Sequence, residues 1–335
     1  MYILGLESSC DETSASVVEM SEEGRFIRSN IVASQIDVHR LYGGVVPEIA
    51  SRAHIEAISK ITYEALSEAG ITLSDVGAIG VTAFPGLIGA LLVGVNFAKS
   101  LAYANDIPLV AVNHVHGHVS AALLSEPDLK PPFLALVVSG GHTSIYKVNS
   151  YTEYEEIGST RDDAVGESFD KVGRVIGLPY PGGAALDKLA YEGDPKAIAL
   201  PSPAIVGDNL DFSFSGLKTA ALNYINQMEQ RGEKIDRADL AASYTRAVTK
   251  AISKKISSAL DMTGMKTLVM AGGVAANSHL RRAIGDVCSA KKVSFVCPPL
   301  KLCGDNAAMI GAAAYYEYLR GNFADTSLNA SAVEV

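Results

Sequence analysis

The chain has 335 residues, of which 48% are hydrophobic and 19% charged, and its formal net charge is -9. This composition excludes a disordered chain, and the length exceeds what one hydrophobic core usually fills, so two domains are predicted. The acidic balance disfavours nucleic-acid binding over the whole surface, and an RNA contact would need a local basic patch or a partner.

Neither the amino-terminal sequence nor any apolar run predicts a membrane association. The sequence MYILGLE lacks the basic segment of a signal peptide. The most apolar run, residues 87–95, is too short to span a bilayer, and Lys99 follows it closely. The four cysteines form no CxxC pair, so neither a zinc knuckle nor a redox motif is indicated. We therefore expect a cytoplasmic protein with reduced thiols.

Two segments of the chain, residues 3–19 and 134–148, share one pattern. Each has an apolar strand, a turn of small and polar residues, and a second alternating strand. The repetition predicts two similar domains that each open with a β-hairpin. Further strands and helices alternate, which is typical of α/β proteins with helices covering a mostly parallel sheet. The further strands are predicted at 77–82, 108–112, 267–271 and 293–297. Helices are predicted at 47–69, 87–104, 114–125, 163–176, 184–192, 216–230, 236–262, 277–288 and 305–319.

Two of the predicted helices carry strong signals. Proline near the start and Gly70 just past the end mark the helix over 47–69. In the helix over 236–262, apolar or aromatic residues recur every four positions from Leu240 to Leu260. This recurrence predicts a ridge that faces a hydrophobic core.

Two glycine-rich turns are candidates for ligand binding. Gly140-Gly141 in the second hairpin lets backbone amides approach an anion, although paired glycines are also common in ordinary hairpin turns. Gly272-Gly273 lies between a predicted strand and helix. It can hold a nucleotide at the helix N-terminus, or it can allow close packing with Asn277 as the N-cap. The two turns together, on a duplicated pattern, favour a ligand.

A pair of histidines is the candidate metal site. His114 and His118 lie four residues apart on a predicted helix, so both rings project from one face. His116 points elsewhere, and the alternative for all three is exposure or capping. Asp305 precedes the last helix, where it can supply a carboxylate or cap the helix. Two imidazoles and one carboxylate suit zinc or iron(II). Val115 follows His114, so the HExxH motif of a metalloprotease is missing.

Carboxylates also cluster in the turn of the first hairpin, which contains Glu7, Asp11 and Glu12. Near a phosphate site, such groups can hold a metal-bound water or accept a proton. The alternative is that they only stabilise the turn. A further acidic segment begins at Asp162, where the start of a helix favours acids for electrostatic reasons alone.

A set of motifs covers nearly the whole chain. In order they are ESSCDETS (7–14), VVPEIASRAH (45–54), NHVHGH (113–118), VSGGHT (138–143), GESFDKVGR (166–174), YPGG (180–183), FSFSGLKT (212–219), GGVAAN (272–277) and CGDNAAMIG (303–311). As a set they resemble the bacterial TsaD family, the tRNA adenosine threonylcarbamoyltransferases. The resemblance implies an α/β fold of two actin-like, sugar-kinase-like (RNase H-like) lobes with a ligand cleft between them. The first lobe is expected over 1–130 and the second over 131–335, with a helical insertion near 160–260.

The resemblance also implies a reaction, its residues and its partners. Threonylcarbamoyl would pass from threonylcarbamoyl-AMP to the exocyclic amine of the tRNA adenosine 3′ of the anticodon. One divalent metal, iron(II) or zinc, is assigned to His114, His118 and Asp305, and Asp11 and Glu12 are catalytic candidates for proton handling or positioning. The implied substrate-binding residues are Val137, Val138, Ser139, Gly140, Gly141, Asp170, Gly183, Asp187 and Asn277. The implied partners are tRNA, a paralogous actin-like (TsaB-like) subunit on the N-terminal lobe, and a small TsaE-like ATPase.

The sequence departs from the family pattern at two positions. Val137 stands where archaeal and eukaryotic relatives have a metal-binding tyrosine, so that protein ligand is missing here. Phe84 stands where the family usually has glycine, and it either narrows the cleft or packs. Two alternatives to the transferase remain open, a small-molecule kinase and a non-enzymatic nucleotide switch of the same fold.

Overall fold

The computed structural model describes residues 1–202 and 209–334. Its strands are β1 (Tyr2–Glu7), β2 (Glu12–Met20), β3 (Arg25–Ser34), β4 (Val76–Phe84), β5 (Leu109–Asn113), β6 (Phe133–Val138), β7 (Thr143–Ser150), β8 (Glu153–Ser159), β9 (Thr267–Ala271) and β10 (Ser294–Val296). Its helices are α1 (Ile36–Arg40), α2 (Pro47–Ala69), α3 (Ile88–Asn105), α4 (His114–Ser125), α5 (Val165–Val175), α6 (Gly182–Leu189), α7 (Ser215–Gln230), α8 (Arg237–Thr263), α9 (Ser278–Lys291) and α10 (Ala307–Arg320). Within these described ranges, no helix is both long and apolar enough to cross a membrane.

The chain divides into two compact units. Unit 1 comprises Met1–Pro131, Ser150–Glu153 and Pro298–Val335, and unit 2 comprises Pro132–Asn149 and Tyr154–Cys297. This division differs from the boundary expected after residue 130, because the last helix packs into unit 1. A side chain at Gly5 of β1 would collide with the backbone of α10 at Ala307. Glycine at this position therefore lets the helix lie directly on the strand.

Each unit is built on a five-stranded sheet, in the orders β3-β2-β1-β4-β5 and β10-β9-β6-β7-β8. In unit 1, β2 pairs antiparallel with both β1 and β3, whereas β4 pairs parallel with β1 and β5. In unit 2, β6 pairs antiparallel with β7 and parallel with β9. The expectation of a mostly parallel sheet is therefore wrong. Each sheet is mixed, because the opening hairpin contributes antiparallel pairs.

Helices cover both faces of the sheet in unit 1. Ile3 of β1 lies in a buried cluster with Leu124 of α4 and Ile310 of α10, whereas the next residue, Leu4, lies in a second cluster with α2 and α3. Successive side chains of a strand point to opposite faces, which explains the two clusters. Phe84, at the end of β4, packs against the second cluster. The structure thus gives Phe84 a packing role.

In unit 2, α8 supplies the predicted ridge. Every member of the four-residue series, namely Leu240, Tyr244, Val248, Ile252, Ile256 and Leu260, is buried. The helix begins where Asp236 accepts hydrogen bonds from the amides of Ala238 and Asp239, and it ends at Gly264 in a left-handed conformation. These are the expected signals of a helix start and a helix end.

Candidate metal centre and substrate loops

Helix α4 begins directly after β5 and carries two histidines on one face. Asn113, the last residue of β5, caps the helix by accepting hydrogen bonds from the amides of Val115 and His116 at 2.8 and 3.3 Å. The capping position is therefore filled, and the rings of His114 and His118 are left for another role. Their centroids lie 4.6 Å apart.

Asp305 reaches the same place from the start of α10. Asn306 caps that helix by accepting from the amide of Met309 at 3.2 Å, so Asp305 is not the cap. Oδ1 of Asp305 lies 3.2 Å from Nε2 of His118 and 3.6 Å from Nε2 of His114. One ligand atom from each of the three residues lies within 4.8 Å of the others. The structure thus brings together all three residues that the sequence singled out as metal ligands.

Glu7 forms a second layer behind His114. Its side chain is fully buried, and its Oε2 lies 3.0 Å from Nδ1 of His114 and accepts a hydrogen bond from Thr82 Oγ1 at 2.7 Å. Burial alone would raise the pKa of Glu7, but the neighbouring His114 holds it below its ordinary value. The ionised carboxylate fixes which nitrogen of His114 faces it. The sequence marks Glu7 as one of several acidic residues but does not predict this role. The signal that could have indicated it is the position of Glu7 at the end of a buried strand.

The three residues fit a divalent metal ion. Both ring nitrogens of His118 are buried, and neither forms a hydrogen bond among the described residues, although Nε2 lies 3.2 Å from the carboxylate of Asp305. A buried polar group that makes no hydrogen bond costs about 1–3 kcal/mol, which coordination of an ion would offset. Burial alone would lower the pKa of His114, but Asp305 and Glu7 raise it to about 9. An ion bound there at neutral pH would replace this proton.

The turn between β1 and β2 places further carboxylates near this centre. Asp11 is buried, and Oε1 of Glu12 accepts a hydrogen bond from Ser34 Oγ at 3.2 Å. Burial, together with the charges of Asp305 and Asp11, raises the pKa of Glu12 well above its ordinary value. The acidic turn therefore retains a proton that an isolated glutamate would have lost.

His116 lies on α4 between the two candidate ligands but turns away from them. Its Nε2 lies 3.7 Å from Glu334 Oε1, and burial lowers its pKa to about 4. His116 is consequently a neutral imidazole at physiological pH, placed outside the candidate metal cluster.

The glycine turn of unit 2 presents backbone groups. Val137 and Val138 of β6 have fully buried side chains, so only their main chain can reach a ligand. Ser139 closes the turn, because its amide donates to the carbonyl of His142 at 2.8 Å. The amides of Gly140-Gly141 have no acceptor among the described residues, and a Cβ at either glycine would meet open space. The turn can therefore offer two amides to an anion.

Two other pairs of predicted substrate residues meet at helix starts in unit 2. Oδ1 of Asp170 accepts the amide of Gly183 at 2.8 Å, at the start of α6. Asp187 accepts hydrogen bonds from the amide and hydroxyl of Ser278 at 3.1 and 2.9 Å, and Asn277 caps α9 by accepting the amide of Leu280 at 2.8 Å. These contacts explain how the four residues are held in place, and their contact with a substrate stays a prediction.

In the second glycine turn, one glycine is required for packing and the other is open to a ligand. Gly272 has a φ of 94°, and a side chain there would collide with the carbonyl group of Val138. Gly273 has open space around the position of a Cβ. Packing therefore explains Gly272 alone, and Gly273 is the residue at which a ligand could approach the backbone.

Comparison with known proteins decides the family. The family model described as "TsaD: tRNA N6-adenosine threonylcarbamoyltransferase" matches residues 26–312. The chain belongs to the TsaD family. A TsaD relative from Clostridium botulinum (strain 657 / Type Ba4), a tRNA N6-adenosine threonylcarbamoyltransferase, is 53% identical over 328 residues, which cover 98% of this chain and 96% of the relative. The resemblance inferred from the motifs is confirmed.

Solved structures outside the TsaD family share the fold. Component A of (R)-2-hydroxyglutaryl-CoA dehydratase from Acidaminococcus fermentans is 16% identical, with a TM-score of 0.56 over 96% of this chain and 98% of that one. The ROK hexokinase from Thermus thermophilus is 17% identical, with a TM-score of 0.50 over 96% of this chain and 100% of the hexokinase chain. At these identities the likeness shows the fold alone. The predicted actin-like, sugar-kinase-like class is confirmed.

Proposed function

We propose that this protein transfers a threonylcarbamoyl group from threonylcarbamoyl-AMP to the exocyclic amine of an adenosine in tRNA, next to the anticodon on its 3′ side. The observation that carries the proposal is the buried cluster of His114, His118 and Asp305 in a chain of the TsaD family. A small-molecule kinase of the same fold does not require two histidines and a carboxylate prepared for a metal.

The cluster would hold one divalent ion, and two imidazoles with one carboxylate suit iron(II) or zinc. When bound, the ion would supply a positive charge that holds oxygen atoms of the donor and polarises them. The protein contributes the orientation of its ligands, because Glu7 fixes the His114 ring from the opposite side. The donor is a mixed anhydride with a good leaving group, so the residues must mainly position it and stabilise charge.

Unit 2 is proposed to bind the adenylate part of the donor. The amides of Gly140-Gly141 would hold phosphate oxygens, and Gly273 with Asn277 would border the adenosine. Asp170 and Gly183 at the start of α6, and Asp187 beside the start of α9, are proposed to contact the donor as well. The side chains of Asp170, Asp187 and Asn277 are already held by hydrogen bonds, so ordering them costs little conformational entropy on binding.

The transfer forms one covalent bond, breaks another and releases one proton. The nitrogen of the exocyclic amine forms a bond to the carbamoyl carbon, the bond from that carbon to the phosphate oxygen breaks, and AMP leaves. The amine loses one proton, which the carboxyl pair of Asp11 and Glu12 is proposed to accept or pass on. The adenine must leave its base stack to reach the donor, as with other enzymes that act on a base.

The partners follow from the substrate and from the surface of unit 1. At a net charge of -9, the chain has little electrostatic means to hold a polyanion unaided. Ile55 and Tyr63 on α2 are 65% and 74% exposed, and two large apolar side chains exposed on one helix suit a protein contact. We propose that a paralogous actin-like (TsaB-like) subunit docks on unit 1, that a small TsaE-like ATPase joins the assembly, and that all act in the cytoplasm on tRNA.

Mass spectrometry of tRNA nucleosides tests the function. The full chain is incubated with tRNA and threonylcarbamoyl-AMP, with and without the two proposed partners. Threonylcarbamoyladenosine in the digest supports the transferase. Phosphorylation of a small molecule by ATP, without any modified nucleoside, would favour the kinase. Nucleotide binding without transfer from any donor would favour the switch.

A further inference from the structure

The acidic turn between β1 and β2 is held in place from three directions. The amide of Leu87 donates to the carbonyl of Ser9 at 2.8 Å, and the amide of Gln35 donates to the carbonyl of Asp11 at 3.0 Å. The third contact comes from a side chain, because Nε2 of His54 on α2 lies 3.0 Å from the carbonyl oxygen of Cys10. Of these three contacts, the one from His54 can be removed by substitution without altering the backbone.

His54 belongs to a chain of hydrogen bonds whose direction is fixed at its start. The amide of Val46 can only donate, so Nδ1 of His39, at 3.3 Å, accepts. The proton of a neutral His39 is then on Nε2, which donates to Oε1 of Gln35 at 3.2 Å. Gln35 consequently presents its amide nitrogen, not its oxygen, to Nδ1 of His54 at 3.5 Å.

Thr13 and Cys10, at the other end of this chain of hydrogen bonds, fix the same donor-to-acceptor direction. Nδ1 of His54 also accepts from Oγ1 of Thr13 at 2.7 Å, and the carbonyl of Cys10 can only accept, so the proton of a neutral His54 is on Nε2. Both histidines, Gln35 and Thr13 are buried, and burial lowers the pKa of His54. A break anywhere in this chain leaves a buried polar group unpaired.

We propose that His54 is a positioning residue for the transfer reaction, which fixes Asp11 and Glu12 by donating a hydrogen bond to the carbonyl of Cys10. Cys10 and Asp11 share a planar peptide bond, so the orientation of that carbonyl sets the direction from which Asp11 leaves the backbone. The inference rests on the proposed function, in which these two carboxyl groups handle the proton of the amine. Misplacing such groups by roughly 1 Å can cost about 100-fold in rate.

Two substitutions at one position separate positioning from general stability. His54→Gln keeps an amide donor near the position of Nε2, whereas His54→Asn is too short to reach the carbonyl of Cys10. Ile58→Ala is the matched control, because Ile58 is buried one turn later on α2 and lies outside the hydrogen-bond chain. Each full-length, metal-loaded variant is assayed with the partner proteins for single-turnover transfer from threonylcarbamoyl-AMP, tRNA affinity, metal content and hydrogen exchange of the Gln35 amide.

The expected result is a rate lowered about 10- to 100-fold in His54→Asn, with unchanged metal content and tRNA affinity and faster exchange of the Gln35 amide. His54→Gln should restore most of the rate, and Ile58→Ala should leave it near that of the native protein. If His54→Asn does not fold, Thr13→Val is compared with Thr13→Ser, because serine keeps the hydroxyl that donates to Nδ1 of His54 and holds the ring toward the carbonyl of Cys10, whereas valine removes that donor.

The proposal is overturned if His54→Asn transfers at the native rate, or if the Gln, Asn and Ile58→Ala variants lose rate equally. Failure of the proposed function gives a different result, because the native protein would then form no product under any condition. In that case the exchange of the Gln35 amide still decides whether His54 holds the turn. If the Gln35 amide exchanges at the same rate in His54→Gln and His54→Asn, His54 does not hold the turn.

Discussion

Oε2 of Glu7 and Nδ1 of His114 lie 3.0 Å apart in the interior of unit 1, with the carboxylate accepting the hydrogen bond. The other nitrogen of the same ring is thereby presented to Asp305. A carboxylate behind a histidine, on the side away from the metal, raises the basicity of the ligand and fixes its orientation. Glu7 is therefore part of the candidate metal centre without being one of its three candidate ligands.

Removing a candidate metal ligand should lower metal binding more than removing the carboxylate that orients a neighbouring ligand. His118→Ala should lose most of the bound metal, because one of three protein ligands is gone. Glu7→Gln should keep the metal but weaken its affinity by about 10- to 100-fold. Metal content and competition with a chelator measure both effects. His116→Ala, on the same helix but turned toward Glu334, is the control and should bind metal as the native protein does. Equal occupancy in His118→Ala and the native protein would exclude this site.

The two neighbouring glycines of the second turn should respond differently to valine. Gly273→Val should fold with a melting temperature near that of the native protein, because its Cβ meets open space, and should bind adenine nucleotides at least about tenfold more weakly. Gly272→Val should lose about 2–4 kcal/mol of unfolding free energy, because the residue has a positive φ and presses on Val138. Calorimetry of binding and of unfolding measures the two effects. Unchanged nucleotide affinity in Gly273→Val would mean that the turn only packs.

An ion pair in unit 2 should make stability depend on pH. Asp163 and Lys218 are in contact, with side chains 16% and 19% exposed. Burial alone would raise the pKa of Asp163, but Lys218 and Lys171 hold it below its ordinary value. A lowered pKa in the folded state stabilises the protein above the unfolded value of about 3.9, and this contribution is lost as the pH falls through the folded value.

Lys218→Met should therefore lower the unfolding free energy by about 1–3 kcal/mol at pH 7. The difference from the native protein should shrink as the pH is lowered below about 4, because protonated Asp163 no longer needs a cation. Denaturant unfolding at several pH values measures this trend. Lys250→Met, at an exposed lysine on α8, is the control and should leave stability unchanged at every pH. A difference that is constant with pH would show that the ion pair is not its source.

The isolated chain should modify tRNA poorly, and the assembly should modify it well. If the partners add phosphate contacts, the affinity for tRNA should fall more steeply with salt in the assembly. If they order the turn of Asp11 and Glu12 instead, turnover should rise while the salt dependence stays the same. Affinity and single-turnover transfer, each measured against salt, distinguish the two. Equal behaviour of the chain and the assembly would refute the need for partners.

The proposed contact surface on α2 has its own test. Tyr63→Asp replaces one of the two exposed large apolar side chains of α2 with a charge, so it should prevent co-purification of the paralogous subunit. Tyr103→Asp is the control, because Tyr103 is 80% exposed but lies on α3. Loss of the subunit in both variants would show that charge alone, and not this surface, is responsible.

Local signals in the sequence predicted much of the fold. The bounds of α2 agree to the residue, because Pro47 and Gly70 mark its two ends, and those of α4 agree as well. The metal residues could also be found, since an i,i+4 histidine pair is visible on a helix and the motif around Asp305 is specific. In contrast, β3 was not predicted, because its mixture of Arg, Ser and Asn with apolar residues resembles a loop until β2 pairs with it.

Relations between distant residues could not be predicted. The pattern of α10 indicates a helix, but not that Gly5 of β1 would let it pack into unit 1. The hydrogen bond from His114 to Glu7 joins residues 107 positions apart, and no local pattern marks it. The same holds for the chain through His39 and His54. Burial and hydrogen bonding in three dimensions decide such contacts, and only the structure reveals them.

The packing of α10 on β1 also dictates an order of events during synthesis. Unit 2 has emerged in full once residue 297 has left the ribosome, whereas one face of the first sheet, which α4 covers in part, lacks α10 until residue 320 follows. Strands made first must therefore wait for the segment made almost last, and a nascent chain presents them to chaperones in the meantime. The long separation in sequence also predicts that unit 1 folds more slowly than its size suggests. The three candidate metal ligands also come together only at that step, because Asp305 immediately precedes α10.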